Sequence, residues 1–308
     1  MRLARVVERY LSFKRSLGMR FESEGYQLRS FCRAMGDIDI RCVRPDRVVA
    51  FLPSNGRVTR AWHYKHVILN GFYRFAVSRG HVAQCPLPTM IPKKPESMQP
   101  YIYTTKELQA LLDATPCLCG PRTPSCGRIF RVLLLTLYGA GLRIGEALKL
   151  TLADVDLEKG LLHMRDGKFH KTRLVPIGPR LVAVLKEHIE KGDIRGSALF
   201  PSSLGAAMGT GCAEQLFSRL RRAAGVQREP QARYQPRLHD IRHTAAVHRL
   251  LAWYQRGKDV QHLLPKLSVY LGHAHISGTQ RYLTMTPDLL KQANRRFERY
   301  ALSEVRHD

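Results

Sequence analysis

The residues with the clearest chemical potential lie near the end of the chain, where Tyr282 follows His273 by nine positions. A phenol ordinarily has a pKa of about 10, so it acts as a nucleophile at neutral pH only beside cations or a base. Basic residues precede it in three groups: Arg143, Lys168, and His239 with Arg242. Such cations suit a phosphodiester, because negative charge grows on the phosphate oxygens in its transition state. The set predicts attack by a tyrosine on a phosphodiester, with no metal ion required.

The pair His239 and Arg242 lies at the start of a predicted helix. A spacing of three residues places both side chains on one helix face, and helix N-termini favour anions. The pair therefore suits a phosphate, although a surface ion pair is the commoner origin of this spacing. His243, His262 and His275 lie nearby in the sequence.

The composition indicates a folded, strongly basic chain of 308 residues, of which 44% are hydrophobic. Lys and Arg number 50 against 25 Asp and Glu, so the formal net charge is +25. Such a charge favours a nucleic acid as the partner, with a membrane surface or a generally basic protein as the alternatives. The longest apolar stretch, 132–142, is shorter than the roughly 20 residues of a spanning helix, and the N-terminus lacks a signal-peptide core. We therefore expect a cytoplasmic protein without a membrane partner.

Metal and nucleotide chemistry find little support in the sequence. The seven cysteines are scattered, and reduced thiols are expected in the cytoplasm. Cys117, Cys119 and Cys126 match no common zinc spacing. The chain shows neither the cluster of Asp and Glu that two-metal nucleases use nor a Walker A phosphate-binding loop. We therefore expect no metal and no cofactor.

Composition divides the chain near residue 90. Apolar residues recur at helical spacing before that point, which predicts a helical region. Residues 85–100 then contain five prolines. Because proline fixes φ and lacks the N–H donor, an extended segment is expected there. We predict three parts: a helical domain over 1–90, a proline-rich linker over 91–102 and a second domain over 103–308.

The second domain is predicted to mix helices with a small sheet. Thr104 followed by Glu107 has the pattern of a capping box and starts a helix over 105–114. Apolar runs at 161–164 and 173–177 predict a hairpin, because an Asp-Gly turn signal lies between them. Further helices are expected at 128–138, 142–150, 180–190, 212–224, 240–255, 259–270 with an interruption near Pro265, 277–284 and 287–300. The predicted fold class is mainly α with a small antiparallel β-sheet.

Taken together, these pieces resemble the tyrosine recombinases, the group of the phage integrases and the Xer proteins. Four motifs carry the resemblance in the family's order: Gly139-Ala140-Gly141-Leu142-Arg143-Ile144-Gly145-Glu146, Gly167-Lys168 through Pro176, Leu238-His239-Asp240-Ile241-Arg242-His243-Thr244, and Leu271-Gly272-His273 with Tyr282. Each motif is modest alone, whereas the joint match over about residues 139–283 is specific. The resemblance implies a helical core-binding domain that binds DNA, followed by an α+β catalytic domain.

The resemblance also implies roles for the motif residues. Tyr282 would attack a DNA phosphate, form a 3′-phosphotyrosyl bond and release a 5′-hydroxyl. Arg143 and Arg242 would bind the non-bridging oxygens, a task for which forked guanidiniums suit better than lysines. Lys168 would protonate the leaving oxygen as the general acid, with Lys171 as the competing lysine.

The remaining roles fall to two histidines and a carboxylate. His239 would assist proton transfer at the tyrosine because it fits the His-x-x-Arg spacing, with His243 as the competing histidine. His273 would hydrogen-bond the phosphate. Glu146, three residues after Arg143, would orient an arginine or a neighbouring motif.

Basic residues outside these roles are predicted to contact DNA: Lys171, Arg173, Arg219, Arg221, Arg222, Arg60 and Lys65. For the three arginines at 219, 221 and 222, a solvated helix face is the alternative. The resemblance implies a double-stranded recombination site as the partner and a homo-tetramer on two such sites, with sister recombinases as an open alternative. The helical tail after Tyr282 would pack on a neighbouring subunit or within its own chain.

The implied function is site-specific DNA recombination or integration through a phosphotyrosyl intermediate, for a mobile genetic element of a bacterium. One alternative is a type IB topoisomerase, which uses related chemistry as a monomer to relax supercoils; His239 favours the recombinase. The other alternative is a non-catalytic DNA-binding relative, against which the complete motif set argues.

Overall fold

The computed structural model describes residues 1–53, 58–95, 98–121, 123–165, 172–191, 196–284, 286–287, 289–292 and 294–295. The chain divides into two compact units, Met1–Met98 and Gln99–Asp308, and the predicted linker spans this division. Both candidate general acids, Lys168 and Lys171, lie outside the described residues, as does part of the predicted tail helix at 287–300.

The first unit is helical, as its apolar periodicity predicts. Its helices are α1 (Leu3–Ser16), α2 (Glu22–Met35), α3 (Pro45–Phe51) and α4 (Arg60–Ser78), with a 3-10 turn at Ile40–Cys42. Apolar residues every three or four positions give each long helix one apolar stripe. Helices α1, α2 and α4 pack together along these stripes, around Leu11, Leu28, Phe31 and Phe72, which are fully buried.

The second unit combines helices with one sheet. Its helices are α5 (Thr105–Asp113), α6 (Cys126–Ala140), α7 (Ile144–Ala147), α8 (Pro179–Glu190), α9 (Thr210–Ala223), α10 (Asp240–Gln255), α11 (Val260–Leu271) and α12 (Ser277–Gln280). Its strands are β1 (Val155–Asp156), β2 (Leu161–Met164) and β3 (Arg173–Pro176). The described residues of this unit also form 3-10 turns at Thr115–Leu118, Leu152–Asp154 and Arg281–Thr284. The predicted fold class is confirmed.

Helix α6 is the centre of the second unit. Nine of its 15 residues are buried, among them Phe130, Leu133 and Leu137. It packs against both α8 and α10. A helix that is apolar on most sides is stable only when it is covered on most sides. At its C-terminal end Ala140 and Gly141 are buried, and Gly141 turns the chain with a left-handed φ of 60°.

The sheet is antiparallel in the order β1-β2-β3. Leu162 pairs with Val175, and both are fully buried, while Met164 pairs with Arg173. Because side chains alternate between the two faces of a strand, Arg173 shares the inward face with Val175. The β-strand predictions at 161–164 and 173–177 are confirmed, the second ending one residue early.

Three local predictions can be compared directly with the structure. The capping box is confirmed: the Thr104 N–H donates to Glu107 Oε2 (2.8 Å), and the Glu107 N–H donates to Thr104 Oγ1 (3.2 Å). The helix predicted over 142–150 is wrong, because Arg143 has an extended backbone and only the single turn of α7 follows. The interruption near Pro265 is also wrong: α11 runs through it. Pro265 and Gln261, whose carbonyl loses its helical partner, are both exposed, so water can replace that hydrogen bond.

Among the described helices, none combines the length and apolar character needed to cross a bilayer.

Candidate active site

The candidate site draws side chains from separate segments of the second unit: Arg143 and Glu146 at α7, Arg173 on β3, His239, Arg242 and His243 around the start of α10, His273 after α11, and Tyr282 in the 3-10 turn after α12. The chain can bring them together because α6 and α11 both end here. Each ends at a left-handed glycine, Gly141 (φ 60°) and Gly272 (φ 68°).

A single carboxylate, Glu146, holds two of the arginines. Its Oε1 accepts from Arg143 Nη1 (2.7 Å) and Arg173 Nη1 (3.1 Å). Its Oε2 accepts from Arg173 Nη2 (2.9 Å) and the Arg143 N–H (3.0 Å). Burial raises the pKa of Glu146, but the hydrogen bonds from Arg173 and Arg143 outweigh it and lower the pKa to about 2. Glu146 is therefore ionised at neutral pH, and its predicted role of orienting an arginine agrees with this geometry.

Arg173, which the sequence predicts as a DNA contact, is instead paired with Glu146 inside the unit. Its side chain is only 17% exposed, and its two Nη atoms bind Glu146 as a fork. A bidentate pair fixes both direction and distance. The signal was present in the sequence, since strand alternation places Arg173 on the same face as Val175, and an arginine on a buried face needs a partner.

Arg242 ties the ends of two helices together. It is 2% exposed; Nη1 donates to the Gly141 carbonyl (2.7 Å) and Nη2 to the Leu271 carbonyl (2.6 Å). Carbonyls at helix C-termini carry partial negative charge, which suits a cation. Burial first, and then the charge of Arg143, lower the pKa of Arg242 to about 10. The guanidinium therefore stays charged at neutral pH.

Arg143 binds the residue that follows Leu271, the C-terminal residue of α11 that Arg242 contacts. Besides its bonds to Glu146, its Nη2 donates to the Gly272 carbonyl (2.8 Å). Arg242 Nη1 lies 3.8 Å from Glu146 Oε2, so three guanidiniums surround one carboxylate. The cluster, counted as three cations and one anion, keeps a surplus of positive charge. A surplus of this kind can bind an anion such as a phosphate.

Tyr282 is enclosed beside this cluster. It is 1% exposed, and its hydroxyl lies 3.0 Å from His243 Nδ1. Its ring centroid lies 6.0 Å from that of His273. Burial raises the pKa of the phenol, while the nearby Arg242 and Arg281 oppose that rise. The nucleophile predicted from sequence therefore lies next to an arginine of the cluster and is un-ionised in this state.

Two histidines, His243 and His273, lie against the phenol, and His239 lies against His243; all three are neutral at neutral pH. Burial, and then neighbouring positive charge, lower the pKa of His243 to about 3 and that of His273 to about 4. The pKa of His239 is lowered by the same causes. His273 Nδ1 lies 2.7 Å from Thr279 Oγ1, and the His239 ring lies 5.0 Å from the His243 ring. The histidine that contacts Tyr282 is thus His243, the competitor of His239 in the sequence interpretation.

The other predicted DNA contacts fall in different places. Arg219 and Arg222 are exposed on α9, and Arg60 is exposed at the start of α4. Arg221 is a correction: it is buried, and its Nη1 donates to the Val226 carbonyl (3.0 Å) and to Gln235 Oε1 (3.2 Å). In the free protein it supports the loop after α9 and does not face solvent as a helix-surface cation would.

Lys65 is also turned toward its own unit. Its Nζ donates to the Phe51 carbonyl (2.9 Å) and lies 4.4 Å from the centroid of the Phe51 ring. Burial lowers the pKa of Lys65. Its ammonium therefore joins α4 to α3 in the free protein, and the DNA contact of Lys65 stays a prediction.

All seven cysteines are free. Within the described part of the chain, no group of three His, Cys, Asp or Glu side chains is placed to hold a metal ion.

Gly272 is a position where a small change should disturb the arginine cluster. A Cβ there would lie 2.7 Å from Arg173 Nη1, which Glu146 holds in place, and the left-handed φ of 68° is itself strained for other residues. We expect Gly272→Ala to lower the free energy of unfolding by about 3 kcal/mol. Gly257→Ala is the matched control, since Gly257 has φ 67° with open space around it. Gly257→Ala should lower the free energy of unfolding by the backbone strain alone, about 1 kcal/mol.

Chemical denaturation of both variants measures these effects. Equal losses for Gly272→Ala and Gly257→Ala would show that the contact with Arg173 contributes nothing.

Comparison with known proteins places this arrangement in a family. The chain matches the phage integrase family over residues 103–288. It is 33% identical to y4rB of Sinorhizobium fredii, classed as an integrase/recombinase, with 95% of this chain and 96% of that protein covered. It is 29% identical to the tyrosine recombinase XerA of Thermococcus kodakarensis, with 87% and 85% covered.

Solved structures share the fold. The Tn1549 transposon integrase in complex with transposon right end DNA has a TM-score of 0.70 at 15% identity, covering 98% of this chain and 100% of that one. A lambda integrase tetramer bound to a Holliday junction has a TM-score of 0.67 at 16% identity, covering 92% and 77%. With the family match over more than half of its residues, this chain belongs to the phage integrase family and is a tyrosine-type site-specific recombinase.

Proposed function

We propose that the protein cuts and rejoins double-stranded DNA at a specific site, with Tyr282 as the nucleophile. The phenolic oxygen forms a bond to the scissile phosphorus, and the bond from phosphorus to the 5′ oxygen breaks. The phenolic proton is lost to a neighbouring base, for which His239 stays the proposal. The departing 5′ oxygen takes a proton from the general acid, for which Lys168 is preferred over Lys171. The 3′-phosphotyrosyl bond conserves the energy needed for rejoining.

The observation that carries this proposal is the position of the Tyr282 phenol beside the arginine cluster. Arg143, Arg173 and Arg242 supply three positive charges and Glu146 one negative charge, a surplus of two. A phosphodiester carries one negative charge, and a second develops as the phosphorus becomes five-coordinate. The surplus thus matches the transition state better than the ground state, which is how an enzyme accelerates a step.

Binding of the phosphate calls for a local rearrangement. Arg242 and Tyr282 are 2% and 1% exposed, so the segments that cover them must open before a phosphate can reach them. Arg143, with a third of its side chain exposed, is the arginine that a phosphate would meet first. His273, held through Nδ1 by Thr279, has Nε2 left to approach a phosphate oxygen.

The partner and assembly follow from charge and from relatives. A net charge of +25 suits DNA, and exposed Arg60, Arg219 and Arg222 are the proposed backbone contacts. The lambda integrase that shares this fold is a tetramer on a Holliday junction, and the Tn1549 integrase binds transposon DNA. We therefore propose a homo-tetramer on two recombination sites of a mobile element in the bacterial cytoplasm, with sister recombinases as the alternative partners.

The test begins by selecting bound sequences from a library of random DNA duplexes. A selected site is then rebuilt as a nicked suicide duplex, in which the fragment carrying the 5′-hydroxyl diffuses away after cleavage. We expect an adduct that withstands denaturant, maps to the peptide containing Tyr282 and forms equally in EDTA. Site-specific binding without an adduct would support the non-catalytic alternative. Relaxation of plasmids that lack the site would support the topoisomerase.

A further inference from the structure

The contact between His243 and Tyr282 has a direction that the surroundings determine. Nδ1 lies 3.0 Å from the phenolic oxygen, and both side chains are buried. Arg242, beside the same oxygen, can only donate a hydrogen bond. The phenolic proton of an enclosed tyrosine also needs an acceptor. Nδ1 therefore accepts from the phenol, and the ring proton of His243 resides on Nε2.

A hydrogen bond in this direction orients the nucleophile. A phenol has one proton, so directing it at Nδ1 turns the oxygen lone pairs toward the side of Arg242. Arg242 belongs to the cluster proposed to receive the scissile phosphate. Misplacement of a reacting atom by about 1 Å can cost roughly 100-fold in rate.

We propose that His243 is the residue that orients the Tyr282 nucleophile, acting through Nδ1 as a hydrogen-bond acceptor. This inference rests on the proposed function of Tyr282. It gives His243 a task in the resting site, before the phenolic proton passes to His239 during attack.

The charges around His243 favour an imidazole that accepts a hydrogen bond over one that takes up the phenolic proton. The groups that face it are His239, Arg242 and Arg237 from α10 and the residues before it, and Arg281 and Tyr282 from the turn after α12. Most of these are cations, and they oppose formation of a second positive charge on the imidazole. His243 therefore stays neutral and keeps its acceptor nitrogen at neutral pH.

Asparagine and leucine at position 243 have similar shapes, so the pair distinguishes loss of the hydrogen-bond acceptor from loss of the imidazole ring. Asparagine carries an oxygen on the same carbon that carries Nδ1 in histidine, whereas leucine carries a methyl group there. We expect His243→Leu to slow adduct formation on the suicide duplex by about 100-fold with DNA binding unchanged. His243→Asn should remain within about tenfold of the wild type, although it cannot act as a base.

A second Tyr–His pair supplies the matched control. His248 Nδ1 lies 2.9 Å from the Tyr138 hydroxyl, between α10 and α6, away from the arginine cluster. His248→Leu breaks the same kind of bond and should leave the rate of adduct formation unchanged. Thermal unfolding of all three variants shows whether each is folded at the assay temperature.

A substrate with sulfur in place of the bridging 5′ oxygen shows whether a variant is defective at the leaving group or at the nucleophile. A thiolate leaves without a proton, so such a substrate restores variants that lack the general acid. His243→Leu should not be restored, because its defect lies on the side of the nucleophile.

Three results would overturn the proposal: folded His243→Leu that cleaves as fast as the wild type or faster, equal losses in His243→Leu and His243→Asn, or rescue of His243→Leu by the sulfur substrate. If the wild type itself forms no adduct on selected sites, the proposed function fails instead.

Discussion

Tyr282→Phe is expected to abolish the covalent adduct with DNA and to leave site-specific binding intact. The substitution removes one oxygen and keeps the ring, which packs among Leu250, Leu264, Leu271 and Leu289. Phenylalanine has no nucleophilic atom, so no phosphotyrosyl bond can form. The fold loses only the hydrogen bond to His243, about 1–3 kcal/mol. Denaturing gels of the suicide duplex measure the adduct, and gel-shift titration measures binding.

Tyr138→Phe is the matched control for that experiment. It removes a phenol that also contacts a histidine Nδ1, at 2.9 Å, in the same unit. It should lose a comparable amount of stability and still form the adduct in normal yield. An adduct of normal yield from Tyr282→Phe would show that another residue is the nucleophile.

Glu146→Gln is expected to cause the second large loss, in both stability and cleavage. Glutamine keeps the shape but removes the negative charge that Arg143 and Arg173 share, and its amide group would face a guanidinium. Removing one partner of a buried ion pair costs about 3–5 kcal/mol. Cleavage should fall by roughly 100-fold or more, because Arg143 loses the bonds that set its direction.

The pH dependence of stability identifies this carboxylate directly. The pKa of Glu146 is about 2 in the folded chain against an ordinary 4.5. A lowered carboxyl pKa stabilises the fold fully above pH 4.5, and this contribution declines as the pH falls toward 2. The difference corresponds to about 3 kcal/mol. In Glu146→Gln, the free energy of unfolding measured by denaturant titration should lack this decline between pH 4.5 and pH 2.

Glu190→Gln is the control for Glu146→Gln. Glu190 forms an exposed pair with Lys186, with both side chains more than 60% exposed. Such pairs contribute little, so its effect should stay within about 0.5 kcal/mol. An unchanged slope between pH 5 and pH 3 in Glu146→Gln would contradict the role assigned to the carboxylate.

Much of this protein could be predicted from its sequence because the determining patterns are local. The periodicity of apolar residues predicted the helices, and the turn signal between two apolar runs predicted β2 and β3. The capping box at Thr104 needed only two residues three positions apart. The motif residues were found because their order along the chain is specific even where each motif is modest.

The errors arose where a side chain's environment depends on distant segments. Arg173 and Arg221 are predicted as cations facing DNA, since the sequence shows a positive charge and not its direction. In the fold Arg173 meets a carboxylate and Arg221 a carbonyl of its own unit. Burying an unpaired charge is so costly that these partners determine where the side chain lies.

The sequence by itself determined the chemistry: a tyrosine, two arginines, a carboxylate and several histidines in an order that indicates phosphoryl transfer. Tertiary structure alone decided which of them touch. His239 and His243 are four residues apart on one helix face, so helical periodicity treats them alike. The turn at 281–284 meets α10 beside His243, and that packing gave the hydroxyl of Tyr282 its partner.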